Sequence, residues 1–178
     1  MNSKFRSTLL SVVSLVLVCT TTLAGCTPKY DWRDVKGSVV PFTVLMPGKP
    51  TIMEKAVGLD GIKAQMSMTA VEIDNVAFAV GSAELANNAQ ARAALTVMKD
   101  TMVKNIDGTI VKDDAQFGDT ASSIDLVATG VTSAGVKRLL RAHFVANNKR
   151  VYQAVVVGPE KAMPPEAVET FLNSFKPR

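Results

Sequence analysis

Few side chains in this sequence could do chemistry, and their spacing decides what chemistry that would be. His143 is the single histidine. It stands in an alternating segment between Arg141 and Val145, where an imidazole could act as a base or bind a metal. A nucleophilic centre needs a serine or cysteine set against that base, and the spacing around His143 points to none. One imidazole without a thiolate partner is also a poor zinc set, so His143 is expected to be structural. Met66-Ser67-Met68, with Met98 and Met102, would suit copper(I), because thioethers are soft ligands. All four fall on apolar registers, and core packing accounts for them. Asp113, Asp114 and Asp119 could offer oxygens to calcium. Their spacing lacks the alternating ligands and late glutamate of an EF-hand loop, so a solvated acidic loop is expected. Lys137, Arg138 and Arg141 could hold an anion, but on a regular strand Arg138 and Arg141 point to opposite faces. No catalytic residue, metal site or cofactor is expected from these sets.

Cys26 is a different case, because of what precedes it. Lys4 and Arg6 form a basic start, and Leu9 to Val18 is apolar apart from Ser11 and Ser14. That run is too short for the roughly 20 residues of a spanning helix. Small residues follow up to Gly25, which completes the order of an export signal. The closing Leu23-Ala24-Gly25-Cys26 resembles the lipobox of bacterial lipoproteins. The resemblance implies that residues 1–25 are a signal peptide cut before Cys26. It also implies that the Cys26 sulfur carries a diacylglycerol and that the new amine takes an acyl chain such as palmitate. Several acyl chains, each worth about 0.8 kcal/mol per buried CH₂, anchor a protein stably where one would not. The implied address is the bacterial cell envelope, with the chain facing the periplasm and held to the membrane through the lipid on Cys26. Thr27 follows the cysteine where an aspartate would favour inner-membrane retention, which points to the outer membrane.

Composition bounds what hangs from that anchor. Residues 26–178 have the length of one domain. The formal charge of +4 includes Lys4 and Arg6; without them 18 basic residues face 16 acidic ones, leaving +2. No basic block exists, so nucleic-acid binding lacks its electrostatic footprint. Cys19 lies in the signal and Cys26 is the lipid site, so the mature chain has no cysteine pair for a disulfide.

These residues must be positioned by a domain spanning 38–178, reached through a polar tether at 26–37. Trp32 in that tether is expected to pack over a core edge. Val40, Phe42, Val44 and Met46 alternate along a strand from Val39 to Met46, with Pro41 marking an edge strand or a strand start. Pro47-Gly48-Lys49-Pro50 breaks the chain, and a strand over Thr51 to Val57 leads to a turn at Leu59-Asp60-Gly61. Ile62, Ala64, Met66, Met68 and Ala70 share one face of the next strand. After a turn at Asp74-Asn75, a strand from Val76 to Leu85 carries a small second face, Ala77, Ala79 and Gly81, on which something can pack closely.

The spacing of Ala91, Ala94, Leu95, Met98, Met102 and Ile106 predicts a helix over Asn88 to Ile106. Asn87 or Asn88 can cap it and Gly108 can end it. A short strand over Thr109 to Lys112 and the acidic loop come next, then a strand over Ser123 to Thr132 with Ile124, Leu126 and Ala128 on one face. Val136 to Ala146 and Lys149 to Gly158 read as a hairpin. A two-residue Asn147-Asn148 loop would set Phe144 opposite Val151 and His143 opposite Tyr152. Val151 to Val157 is apolar on both faces, as in a central strand. Pro164-Pro165 opens a last helix that buries Val168, Phe171, Leu172 and Phe175.

Strands without regular helical crossovers argue for an α+β fold, a mainly antiparallel twisted sheet flanked by helices. The strand ending in Met46-Pro47-Gly48-Lys49-Pro50, the hairpin arm Arg150-Val151-Tyr152 and the helix ending Phe171-Leu172-Asn173-Ser174-Phe175-Lys176 resemble the PsbP-like family, in its branch of DcrB-type bacterial lipoproteins. That resemblance implies an αβα sandwich and brings no catalytic residues with it. The expected function is that of a lipid-anchored, non-enzymatic envelope protein that binds a protein partner or assists envelope assembly. A carrier with a small-ligand pocket between sheet and helix is the alternative, and a hydrolase comes third for want of a triad. A large apolar cavity would favour the carrier, and a broad exposed apolar patch the partner binder.

Overall fold

The computed structural model describes residues 29–59 and 61–178; the signal segment and Cys26 lie outside the described residues. The chain folds as β1 (Arg33–Lys36), β2 (Phe42–Met46), β3 (Thr51–Leu59), β4 (Ile62–Ile73), β5 (Val76–Glu84), α1 (Asn88–Asn105), β6 (Gly108–Phe117), β7 (Ala121–Val131), β8 (Lys137–Asn147), β9 (Arg150–Pro159), a 3₁₀ turn (Glu160–Ala162), α2 (Pro165–Ser174) and β10 (Lys176–Pro177). A seven-stranded sheet runs β3-β4-β5-β9-β8-β7-β6, and a three-stranded sheet runs β1-β2-β10. Every pairing is antiparallel. The class is α+β, as the sequence predicts. Among the described residues no helix is long and apolar enough to cross a membrane.

Strand alternation divides the buried residues into two cores. Met66, Leu95, Met98, Leu126, Phe144, Val151 and Val155 pack between the large sheet and α1. Phe42, Met46, Phe78, Tyr152, Val156, Phe171 and Phe175 pack on the opposite face, against α2 and the small sheet. β9 is the middle strand of seven and is buried on both faces, which explains its unbroken apolar run. Its Tyr152 hydroxyl lies 2.7 Å from the Arg178 main-chain oxygen and 3.1 Å from that of Pro41, tying the two sheets together. Burial pushes that hydroxyl's pKa up. Asn87 caps α1 by accepting the Gln90 N–H. Asp107 at φ 47°, rather than Gly108, turns the chain out of the helix.

Three expectations are corrected. The tether is not wholly unstructured, since Arg33–Lys36 pair with β2 as an edge strand. β2 is thus the middle strand of its sheet, and Pro41 stands just before it, as a strand start. Trp32 does pack on the second core. Next, the short strand and acidic loop at 109–119 are one ten-residue strand, β6, which carries Asp113 and Asp114. As the outer strand of the sheet it is exposed on both faces, so no apolar alternation announces it. Last, the closing hairpin turns one residue later than expected. Asn147 pairs with Arg150, which puts Phe144 opposite Gln153 and His143 opposite Ala154, not Val151 and Tyr152. Moving the turn by one residue shifts every pairing by two, so the faces are conserved. Asn148 takes the positive φ of 53°, and its N–H donates to the Thr120 carbonyl at 2.9 Å. That long-range bond fixes the turn where local propensity favours neither asparagine.

Candidate functional site

The cleft begins with what α1 leaves uncovered. The helix packs mainly on β8 and β9, reaches β7 and β6, and touches β3 at the far edge of the sheet. β4 and β5 lie between β9 and β3 and are spanned loosely. The result is a cleft of about 520 Å³ between α1 and the β3–β4 hairpin, with walls that are mostly apolar. That is within the roughly 300–1,000 Å³ of small-molecule sites.

Each wall follows from local sequence. Leu59 pairs with Ile62 across the hairpin, and counting back sets Met53 opposite Met68. Met66 and Met68 share the sheet face toward α1, and Met98 and Met102 lie one helical turn apart on α1. Met66 and Met98 are buried, whereas Met53 is 53% exposed and Met68 and Met102 are half-buried. Gln153 reaches the cleft from the central strand, and it is buried. Its amide Nε2 donates to Met68 Sδ at 3.9 Å. A Cβ at Gly81 would come within 2.8 Å of that sulfur and 2.9 Å of the Gln153 amide. The small face of β5 is thus the notch that seats both side chains. Lys55, Thr101 and Asn105 supply polar lining, Lys55 being the one charge among the described residues there.

The other sequence candidates do not converge on this cleft or on one another. His143 Nδ1 lies 2.7 Å from Asp125 Oδ1 on the neighbouring strand, and its ring stands edge-on to Phe175 with centroids 6.3 Å apart. Among the described residues no serine or threonine hydroxyl bonds to that ring. The pair sits beside a hollow of about 440 Å³ with Ser123 in its lining. Asp113 pairs with Lys99 on α1 at 2.6 Å, and Asp114 lies 4.0 Å from Lys112. Asp119 sits apart, in the turn after β6. Among the described residues no three His, Cys, Asp or Glu side chains group as a metal set. Arg141 pairs with Glu169 of α2 and does not join Arg138. Cys26 lies outside the described residues.

Sequence reasoning passed over Met53, Lys55 and Gln153. Met53 was within reach: a two-residue turn at Asp60-Gly61 places it beside Met68 by counting. Gln153, a lone polar residue in the apolar run of β9, was the remaining signal. No protein-family model matches the chain, and no curated protein matches it.

Proposed function

We propose that this protein is a lipid-anchored envelope protein that acts as a non-enzymatic carrier, holding a small apolar ligand in the cleft between α1 and the β3–β4 hairpin. The observation that carries this reading is the cleft itself: roughly 520 Å³, walled by methionine and aliphatic side chains, with Gln153 as a buried polar group to orient a ligand. Methionine walls adapt to irregular apolar shapes. The anchor rests on the lipobox-like Leu23-Ala24-Gly25-Cys26. We also read the domain as PsbP-like, a reading supported by its antiparallel sheet between helices and by the residue patterns quoted above. The outer membrane is the proposed location.

Two experiments test this. Cys26→Ser should move the protein out of the membrane fraction or leave it unprocessed; a variant that stays membrane-bound at mature size removes the anchor. Ala70 is half-buried, lines the cleft and shares the sheet face of Met66 and Met68. Ala70→Phe should fill the cleft and weaken binding of a neutral fluorescent probe, N-phenyl-1-naphthylamine, at least tenfold, with the far-UV spectrum unchanged. Equal probe binding by both proteins would place the ligand elsewhere.

Partner binding has its own supporting observation. Among the described residues nothing pairs with the outer side of edge strand β6, which exposes Ile110, Val111 and Phe117. An unpaired edge with apolar side chains is a template for strand addition by another chain. The cleft is the more enclosed feature, so the carrier reading is preferred.

A further inference from the structure

We infer that the methionines of this cleft form a binding site for a soft monovalent cation, copper(I) in the envelope. Five of the chain's eight methionines, Met53, Met66, Met68, Met98 and Met102, line this one cleft. They arrive from three elements: β3, β4 and α1. Met53 and Met68 are a cross-strand pair, with Cβ atoms about 4.5–5.5 Å apart. Met98 and Met102 are neighbours one turn apart, about 5–6 Å between Cβ atoms. Each sulfur sits at the end of a flexible, unbranched stem, so three thioethers from this spread can close on one ion.

Core packing, the expectation from sequence, explains Met66 and Met98, which are buried. Met68 and Met102 are half-buried and pack against the same core, yet they also line the open cleft; core packing does not explain the exposed Met53 beside them. Adaptable bulk accounts for these methionines under the carrier reading, although leucine or valine would lose less rotamer freedom when ordered. What methionine adds is a soft sulfur. The set is also selective. None of the described residues lining the cleft is His, Cys, Asp or Glu, so the site lacks ligands for zinc, calcium or copper(II), while neutral thioethers favour copper(I). The Gln153 amide donates to one lone pair of Met68 Sδ at 3.9 Å, which leaves the other lone pair for an ion. Among the described residues Lys55 is the one cation in the lining, and it is exposed, so its charge is largely screened by water.

The test uses the full chain carrying Cys19→Ser and Cys26→Ser, which removes competing thiols. Its methionine methyl groups are labelled with ¹³C and titrated with silver(I), a redox-inert analogue. Copper(I) affinity is then measured under ascorbate by competition with a chromogenic chelator. One equivalent of silver should shift the methyl resonances of the cleft methionines and leave those of Met46 and Met163 in place. Met53→Leu/Met68→Leu/Met102→Leu keeps the cleft apolar and should weaken copper(I) at least 100-fold. Met53→Leu alone, at an exposed position, should weaken copper(I) about tenfold and covers the case where the triple variant misfolds. A parent chain that takes up no silver, or variants that bind copper(I) as the parent does, overturn the site. A parent chain that binds the naphthylamine but takes up no metal sinks this inference and leaves the carrier reading standing. Metal binding without probe binding does the reverse.

Discussion

Phe171→Ala is expected to lower the folding free energy by about 3–5 kcal/mol, the usual cost of truncating a buried phenylalanine. Phe171 is fully buried and meets Phe78 edge-on, with ring centroids 5.6 Å apart. Such aromatic pairs contribute beyond their buried area. The effect reaches further than one side chain because of what α2 is. It has ten residues, fewer than the roughly 12–15 an isolated helix needs in water, so it exists by virtue of its docked face. Ala167, Val168 and Phe171 are that face. Leu172 packs partly on the same core, and polar ties are a Ser174 hydroxyl accepting the Leu45 N–H at 2.9 Å and the partly exposed Arg141–Glu169 pair. A surface pair of that kind contributes about 1 kcal/mol at most. Since whole domains are stable by only about 5–15 kcal/mol, the variant should unfold at a much lower urea concentration than the parent. A loss under about 1 kcal/mol, well below any buried-aromatic truncation, would mean that α2 is not docked on the sheet.

The second core was legible because its residues keep strict periods. Val40, ahead of β2, and Phe42, Val44 and Met46 along it alternate and are all buried. The double-sided apolar run of β9 announced a central strand. Period fails where neither face is buried. β1 is four mostly exposed residues, Arg-Asp-Val-Lys, and is a strand only because β2 lies beside it. β6 carries Lys112-Asp113-Asp114 through an exposed edge, with a register shift between Ile110 and Lys112 that breaks any alternation. The hairpin register depended on Thr120, remote in sequence, capturing the Asn148 N–H. The site divides in the same way. Met66, Met68, Met98 and Met102 were visible as apolar positions, and hairpin counting would have added Met53. That α1 leaves β4 and β5 loosely covered follows from how the helix seats on the twisted sheet, which no local pattern encodes.

That seating is tested by Gly130→Ala, expected to destabilise the fold by about 1–3 kcal/mol or more, as overpacking of a filled interior does. Gly130 lies in β7 between Gly108 of β6 and Arg138 of β8. A Cβ there would sit 1.9 Å from the Ile106 carbonyl oxygen and 3.3 Å from the Gly108 Cα. The obstacle is backbone, so no rotamer change relieves it. Ile106 ends α1, its N–H donating to the Val103 carbonyl, and its buried side chain belongs to the first core. Lifting its carbonyl off β7 would therefore draw Ile106 out of that core or unseat the last turn of the helix. Replacing glycine by alanine also stiffens the unfolded chain, which favours folding by about 0.4–1 kcal/mol where the native backbone suits it. The clash is expected to exceed that gain. Gly108→Ala is the control: its nearest atoms are Cγ1 and Cδ1 of Ile106 at 2.8 and 2.9 Å, and the nearest backbone atom is the Val103 carbonyl oxygen at 3.1 Å, far less close than the 1.9 Å at Gly130, so its loss should be smaller. Urea titration of the two variants side by side gives the answer. If Gly130→Ala is the milder of the two, the end of α1 does not rest on β7, and the span of the helix over the methionine cleft must be drawn differently.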